Sequence, residues 1–211
     1  MYMKLNEIKG EYDAIYSLGE NCLPAMKMRQ FNLRPFAGPF DWVGIRYAHN
    51  VAKLIQTYFT GFLAEENLVP SGYASDSDLL VYDVENIISF NHDFKTDRNT
   101  IDSLMDLPSV QEKYQRRIAR FIQNIQTNKR ILFIRSEATI EEIIELQTVL
   151  KEVVKGEFTL LIVNHYPIDK LIEHECFIDN VCALCLPNED IWDGNNTLWQ
   201  HIFTDITIRP Q

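Results

Sequence analysis

The chain has 211 residues, 46% of them hydrophobic, with 20 basic and 30 acidic side chains and a formal net charge of −10. That length and composition predict one α/β domain over residues 1–211, and so large an acidic excess excludes nucleic acid as the expected partner, because phosphates need basic surface. Apolar runs of strand length fall far short of the roughly 20 residues of a membrane helix, and four cysteines behind a polar N-terminus predict free thiols in the cytoplasm rather than a disulfide framework.

Tyr12–Ser17 is a short apolar run stopped by Leu18-Gly19, read as a buried strand turning into a helix over Leu23–Phe31. Asn21 is a good capping type, and Pro24 is tolerated in the first turn, where its missing N–H would be unpaired anyway. Two prolines and a glycine make residues 34–42 a loop. A helical pattern runs from Val43 to Phe59. Leu79–Tyr82 and Asn86–Phe90 read as a small hairpin, and Ser109–Ile125 as a long helix. Its basic run, Lys113 to Arg120, reads as a solvated face.

The C-terminal half alternates buried strands and helices. Arg130–Ile134 is a strand, Thr139–Val154 a helix opened by the capping-box pair Thr139 and Glu142, and Phe158–Val163 a second strand. Cys176–Leu186 reads as a further strand, and Trp192–Ile208 as a cover over one end. Continuous apolar strands between helices predict a mostly parallel three-layer sheet with helices on both faces, flavodoxin-like or Rossmann-like.

In such sheets ligands bind beyond the carboxyl ends of the strands. Ser17–Cys22, Arg135-Ser136 and Asn164-His165 fall there, with His92-Asp93 as a possible addition. Cys22 sits at the start of a helix, where free N–H groups and the dipole favour thiolate, so a lowered pKa is expected. A nucleophilic cysteine needs a base, and His92 and His165 compete for that role. Asp93 follows His92 but points to the opposite face of a regular strand, and Asp41 is the alternative support for the imidazole. Cys182 and Cys185 form a C-x-x-C, but strand residues three apart cannot share a metal. No phosphate-loop or dinucleotide motif occurs. No metal or cofactor is expected.

The blocks Ser17-Leu18-Gly19-Glu20-Asn21-Cys22-Leu23-Pro24-Ala25, Gly38-Pro39-Phe40-Asp41-Trp42 and Asn91-His92-Asp93-Phe94 resemble a bacterial and plant family of unknown function catalogued as papain-like cysteine peptidases. The resemblance extends over nearly the whole chain. It implies a hydrolase with Cys22 as nucleophile, His92 as base, and Asp93 or Asp41 in support. It also implies a papain-like α+β alternative for the fold, with the cysteine on a helix and the histidine on an antiparallel sheet.

The expected activity is therefore a thiol-dependent acyl transfer (peptidase, amidase or thioesterase chemistry) on a small-molecule or peptide substrate. Ser17, Gly19, Asn21, Asp41, Trp42, Arg135 and His165 are the expected substrate contacts. The competing expectation is a non-catalytic module that binds a sugar, nucleotide or phosphate-bearing ligand at the same rim.

Overall fold

The computed structural model describes residues 2–210. The N-terminal elements are β1 (Gly10–Tyr12), β2 (Ala14–Ser17), α1 (Leu23–Gln30), β3 (Val43–Gly44) and α2 (Ala48–Gln56). A central group follows: β4 (Leu68–Ser75), β5 (Asp78–Asp83), β6 (Ile88–Lys95), the short pair β7 (Asn99–Thr100) and β8 (Ser103–Leu104), and the long α3 (Leu107–Thr127). The C-terminal group is β9 (Arg130–Ser136), α4 (Ile140–Val153), β10 (Glu157–Tyr166), β11 (Ile172–His174), β12 (Val181–Pro187), α5 (Asn196–Phe203) and β13 (Ile206–Ile208).

The protein is α/β, with parallel and antiparallel sheets. In the main sheet β2, β9, β10 and β12 are parallel neighbours, and β11 closes one edge antiparallel. Alternation splits these strands between two apolar layers. Phe133, Leu160 and Ile162 join the core with α3 and α4, while Leu132, Leu161 and Val163 pack with α1 and α5. Helices thus cover both faces, as strands without a polar side require. The four parallel strands follow chain order across the sheet, whereas a flavodoxin order places the first strand inside. β13 pairs in parallel with β1, which Asp13 alone separates from β2.

The expected small hairpin is the middle of a four-stranded antiparallel sheet, ordered β3-β6-β5-β4. Strand β4 escapes periodicity because Pro70 and Gly72 interrupt it and most of its side chains face solvent; both are tolerated on an edge strand. The helix expected from Val43 starts only at Ala48. Val43 and Gly44 instead pair with Phe90 and Ser89 of β6, and a Cβ on Gly44 would lie 2.3 Å from Ser89 Oγ. The capping box of α4 is present, with Glu142 N–H donating to Thr139 Oγ1 at 3.3 Å and Thr139 N–H to Glu142 Oε2 at 3.0 Å. On the basic run of α3, Arg116 and Arg120 are exposed as expected, while Lys113 pairs with Asp93 and Arg117 lies over the Tyr114 ring. Among the described residues no helix is long and apolar enough to cross a membrane.

Candidate functional site

The chain leaves β2 through a tight turn at the carboxyl rim of the parallel sheet. Gly19 has φ 74, and a Cβ there would lie 2.7 Å from Ile45 Cγ2, so glycine is required by both conformation and space. Its N–H donates to Ser17 Oγ at 3.1 Å, and its carbonyl accepts from Ser136 Oγ at 3.2 Å. Asn21 Oδ1 accepts from Leu23 N–H at 2.8 Å, which starts α1 directly after Cys22. The thiol is therefore held at the helix start by a side-chain cap one residue upstream.

Several expected substrate contacts belong instead to this scaffold. Ser17 is fully buried in the turn. Arg135 is fully buried too, and its guanidinium donates to four carbonyls: Leu18 at 2.9 Å, Ile45 at 2.9 Å, Arg46 at 2.7 Å and Glu137 at 3.2 Å. It joins the ends of β2 and β9 to the segment after β3, with four of its five N–H donors committed to the fold. Burial lowers its pKa to about 10, against the pull of Glu20, Glu142 and Glu137. Asp41 is 1% exposed and accepts from Arg34 Nε at 2.6 Å and Gly38 N–H at 2.8 Å, so it organises the 34–42 loop rather than a ligand or an imidazole. Arg34 in turn lies 5.2 Å from the centre of the Trp42 ring.

Cys22 opens onto a cavity of about 510 Å³ between this rim and the antiparallel sheet. Asn21 and Trp42 line it from the N-terminal loops, Asn91 and His92 from β6, and Trp192 from the loop after β12. His92 reaches it through a bulge. Leu79 pairs with Phe94 and Val81 with Phe90, so Leu80 alone faces the three residues Asn91–Asp93. Regular alternation would place His92 beside the buried Phe90 and Phe94; the bulge turns it outward, where it is exposed. The Trp42 ring stands edge-on to the imidazole, 6.3 Å between centres.

The same bulge sends Asp93 elsewhere. Its carboxylate accepts from Lys113 and, at 2.9 Å, from the Tyr114 hydroxyl on α3, not from His92. His165, the rival base, is 4% exposed at its side chain, with Nδ1 2.5 Å from Glu137 Oε1 and Nε2 buried without a partner. It is not among the residues that line the cavity. Among the described residues no hydrogen bond joins the Cys22 thiol to either imidazole. The expected depression of the Cys22 pKa is also overturned. Burial pushes it above the usual 9.0; its own backbone N–H opposes this and Glu20 adds to it.

A thiol at a helix start and an imidazole on an antiparallel sheet thus share one cavity, and a family model described as "Putative papain-like cysteine peptidase (DUF1796)" matches residues 13–167. The chain belongs to this family. No curated protein and no solved structure matches it. The matched region carries both Cys22 and His92, and it ends before Trp192. Sequence reading assigned no role in the site to Asn91 or Trp192. Asn91 stands next to His92, and regular strand alternation would point the two to opposite faces. Trp192 lies in a loop far along the chain, and only its tight Asp190–Gly194 turn marks it.

Proposed function

We propose that the protein is a cysteine-nucleophile hydrolase or acyl-transferase acting on an amide, ester or thioester of a small molecule or peptide. Cys22 is the nucleophile and His92 the base. The observation that carries this reading is that both side chains, from elements seventy residues apart in sequence, line one cavity. All four cysteines are free, which suits a thiol enzyme of a reducing compartment such as the cytoplasm.

With its pKa raised, the resting sulfur is a thiol, not half of a preformed ion pair. Attack on the carbonyl carbon then requires His92 to take the S–H proton as the C–S bond forms. The imidazolium returns that proton to the leaving group, and water cleaves the thioester with the roles reversed. Leu23 N–H is already bonded to Asn21, and Pro24 has no N–H, so neither serves the oxyanion. The Asn91 amide is the better donor. Its one contact, to Ser89 Oγ, is long at 3.4 Å, and it lines the cavity. The lining residues include no lysine or arginine, so a phosphate or nucleotide site has no support here.

Hydrolysis of a panel of activated thioesters, esters and amides tests this reading. Cys22→Ala abolishes turnover, His92→Ala lowers kcat about 10²-fold or more, and His165→Ala leaves it within a few-fold. A Cys22→Ala protein that hydrolyses as fast as the parent overturns the proposal.

A further inference from the structure

The cavity is completed by a residue outside the family-matched region. Trp192 lies in the loop between β12 and α5, and this loop is tightly built. Asp190 Oδ1 accepts from the N–H groups of Trp192 and Asp193, each at 3.0 Å, and Gly194 N–H donates back to Asp190 O at 3.1 Å. A Cβ on Gly194 would lie 2.8 Å from that same carbonyl. Asn195, buried, donates to Pro187 O at 2.7 Å.

The loop is also clamped from below. Lys27, only 1% exposed, donates its ammonium to the Trp192 carbonyl and, at 2.6 Å, to Asn196 Oδ1. No carboxylate contacts it, although Asp193 and Asp190 are near enough to act on its charge. Burying an ammonium costs stability unless hydrogen bonds offset it, so the two acceptors that hold Lys27 fix the loop to α1. Lys27 belongs to α1, the helix that begins at Cys22. One rigid element therefore positions both the sulfur and the main chain that carries the indole. With Trp42, Val43 and Leu80, that indole makes much of the cavity wall apolar and aromatic, and the one carboxylate in the lining, Asp78, is paired with Lys95 at 2.5 Å.

We propose that Trp192 is a specificity-determining residue of the Cys22 site and Lys27 its positioning residue, together selecting uncharged substrates with an apolar or aromatic group beside the reacting carbonyl. This rests on Cys22 as the reacting residue but not on turnover. The test is therefore alkylation of Cys22 by N-benzyl iodoacetamide and by iodoacetamide, followed by peptide mass spectrometry, each rate divided by that of glutathione.

The parent protein favours the benzyl reagent about tenfold, the scale of a well-filled apolar pocket. Trp192→Ala and Lys27→Met bring the ratio near one, and Trp192→Phe keeps most of it. Should Lys27→Met fail to fold by circular dichroism, Asp190→Ala loosens the same loop and lowers the same ratio. A ratio near one in the parent, or unchanged in Trp192→Ala, overturns the proposal. That result with Cys22-dependent turnover intact sinks the specificity role alone; loss of Cys22 dependence with the ratio preserved sinks only the hydrolase reading.

Discussion

At the scale of single residues, a thiol at a helix start feels opposing effects. Free amides favour the thiolate, while burial and a nearby carboxylate disfavour it. At Cys22 burial is the largest influence and Glu20 acts in the same direction, so the folded pKa lies above 9.0. Because the shift is upward, the reactive thiolate is scarce at pH 7. Its fraction, and with it the rate of iodoacetamide labelling, rises about tenfold per pH unit through neutrality without levelling off below pH 9. Cys182, buried and pushed up to about 12, stays unlabelled over that range. Site-resolved mass spectrometry reads both, and a plateau at Cys22 below pH 8 would show a thiolate at rest instead.

At the scale of elements, the site depends on how three segments are tied at one rim. Arg135 connects the end of β9 to the turn after β2 and to the segment after β3 through four carbonyls. Replacing it with methionine leaves those acceptors buried without donors. Arg135→Met is expected to lose about 3 kcal/mol or more of stability in urea denaturation. Arg135→Lys should recover little, because an ammonium cannot span acceptors arranged around a planar fork. A loss below about 1 kcal/mol would show that the carbonyls find water. The bulge in β6 matters in the same way: two extra residues opposite Leu80 exchange a buried histidine for one that lines the Cys22 cavity.

For the whole molecule, one apolar cluster runs from the parallel sheet through α3 and α4 into the antiparallel sheet, joining Phe133, Tyr114, Phe121 and Phe90. The two sheets have no separate cores on that side. We therefore expect the chain to unfold as one domain, with tryptophan fluorescence and far-ultraviolet circular dichroism tracing the same urea transition. Two separated midpoints would divide it into two units. The segment after the family-matched region takes part as well, since Trp199, Ile202 and Phe203 of α5 cover the opposite face of the parallel sheet.

Local signals in the chain were enough for the buried strands β9 and β10, for the capping box of α4, and for Cys22 at the start of α1. Apolar runs, caps and turns act over a few residues and need no distant partner. Tertiary structure alone decided that Val43-Gly44 is strand rather than helix, that β4 completes a second sheet, and that Trp192 lines the same cavity as Cys22. It also sorted the polar rim, burying Arg135, Asp41 and His165 among internal partners while leaving Cys22, Asn21, Trp42 and His92 around a cavity. A polar side chain at a strand end looks the same in sequence whether it meets solvent or a carbonyl more than a hundred residues away. Which one it meets follows from packing and desolvation, and those exist only once the chain has closed on itself.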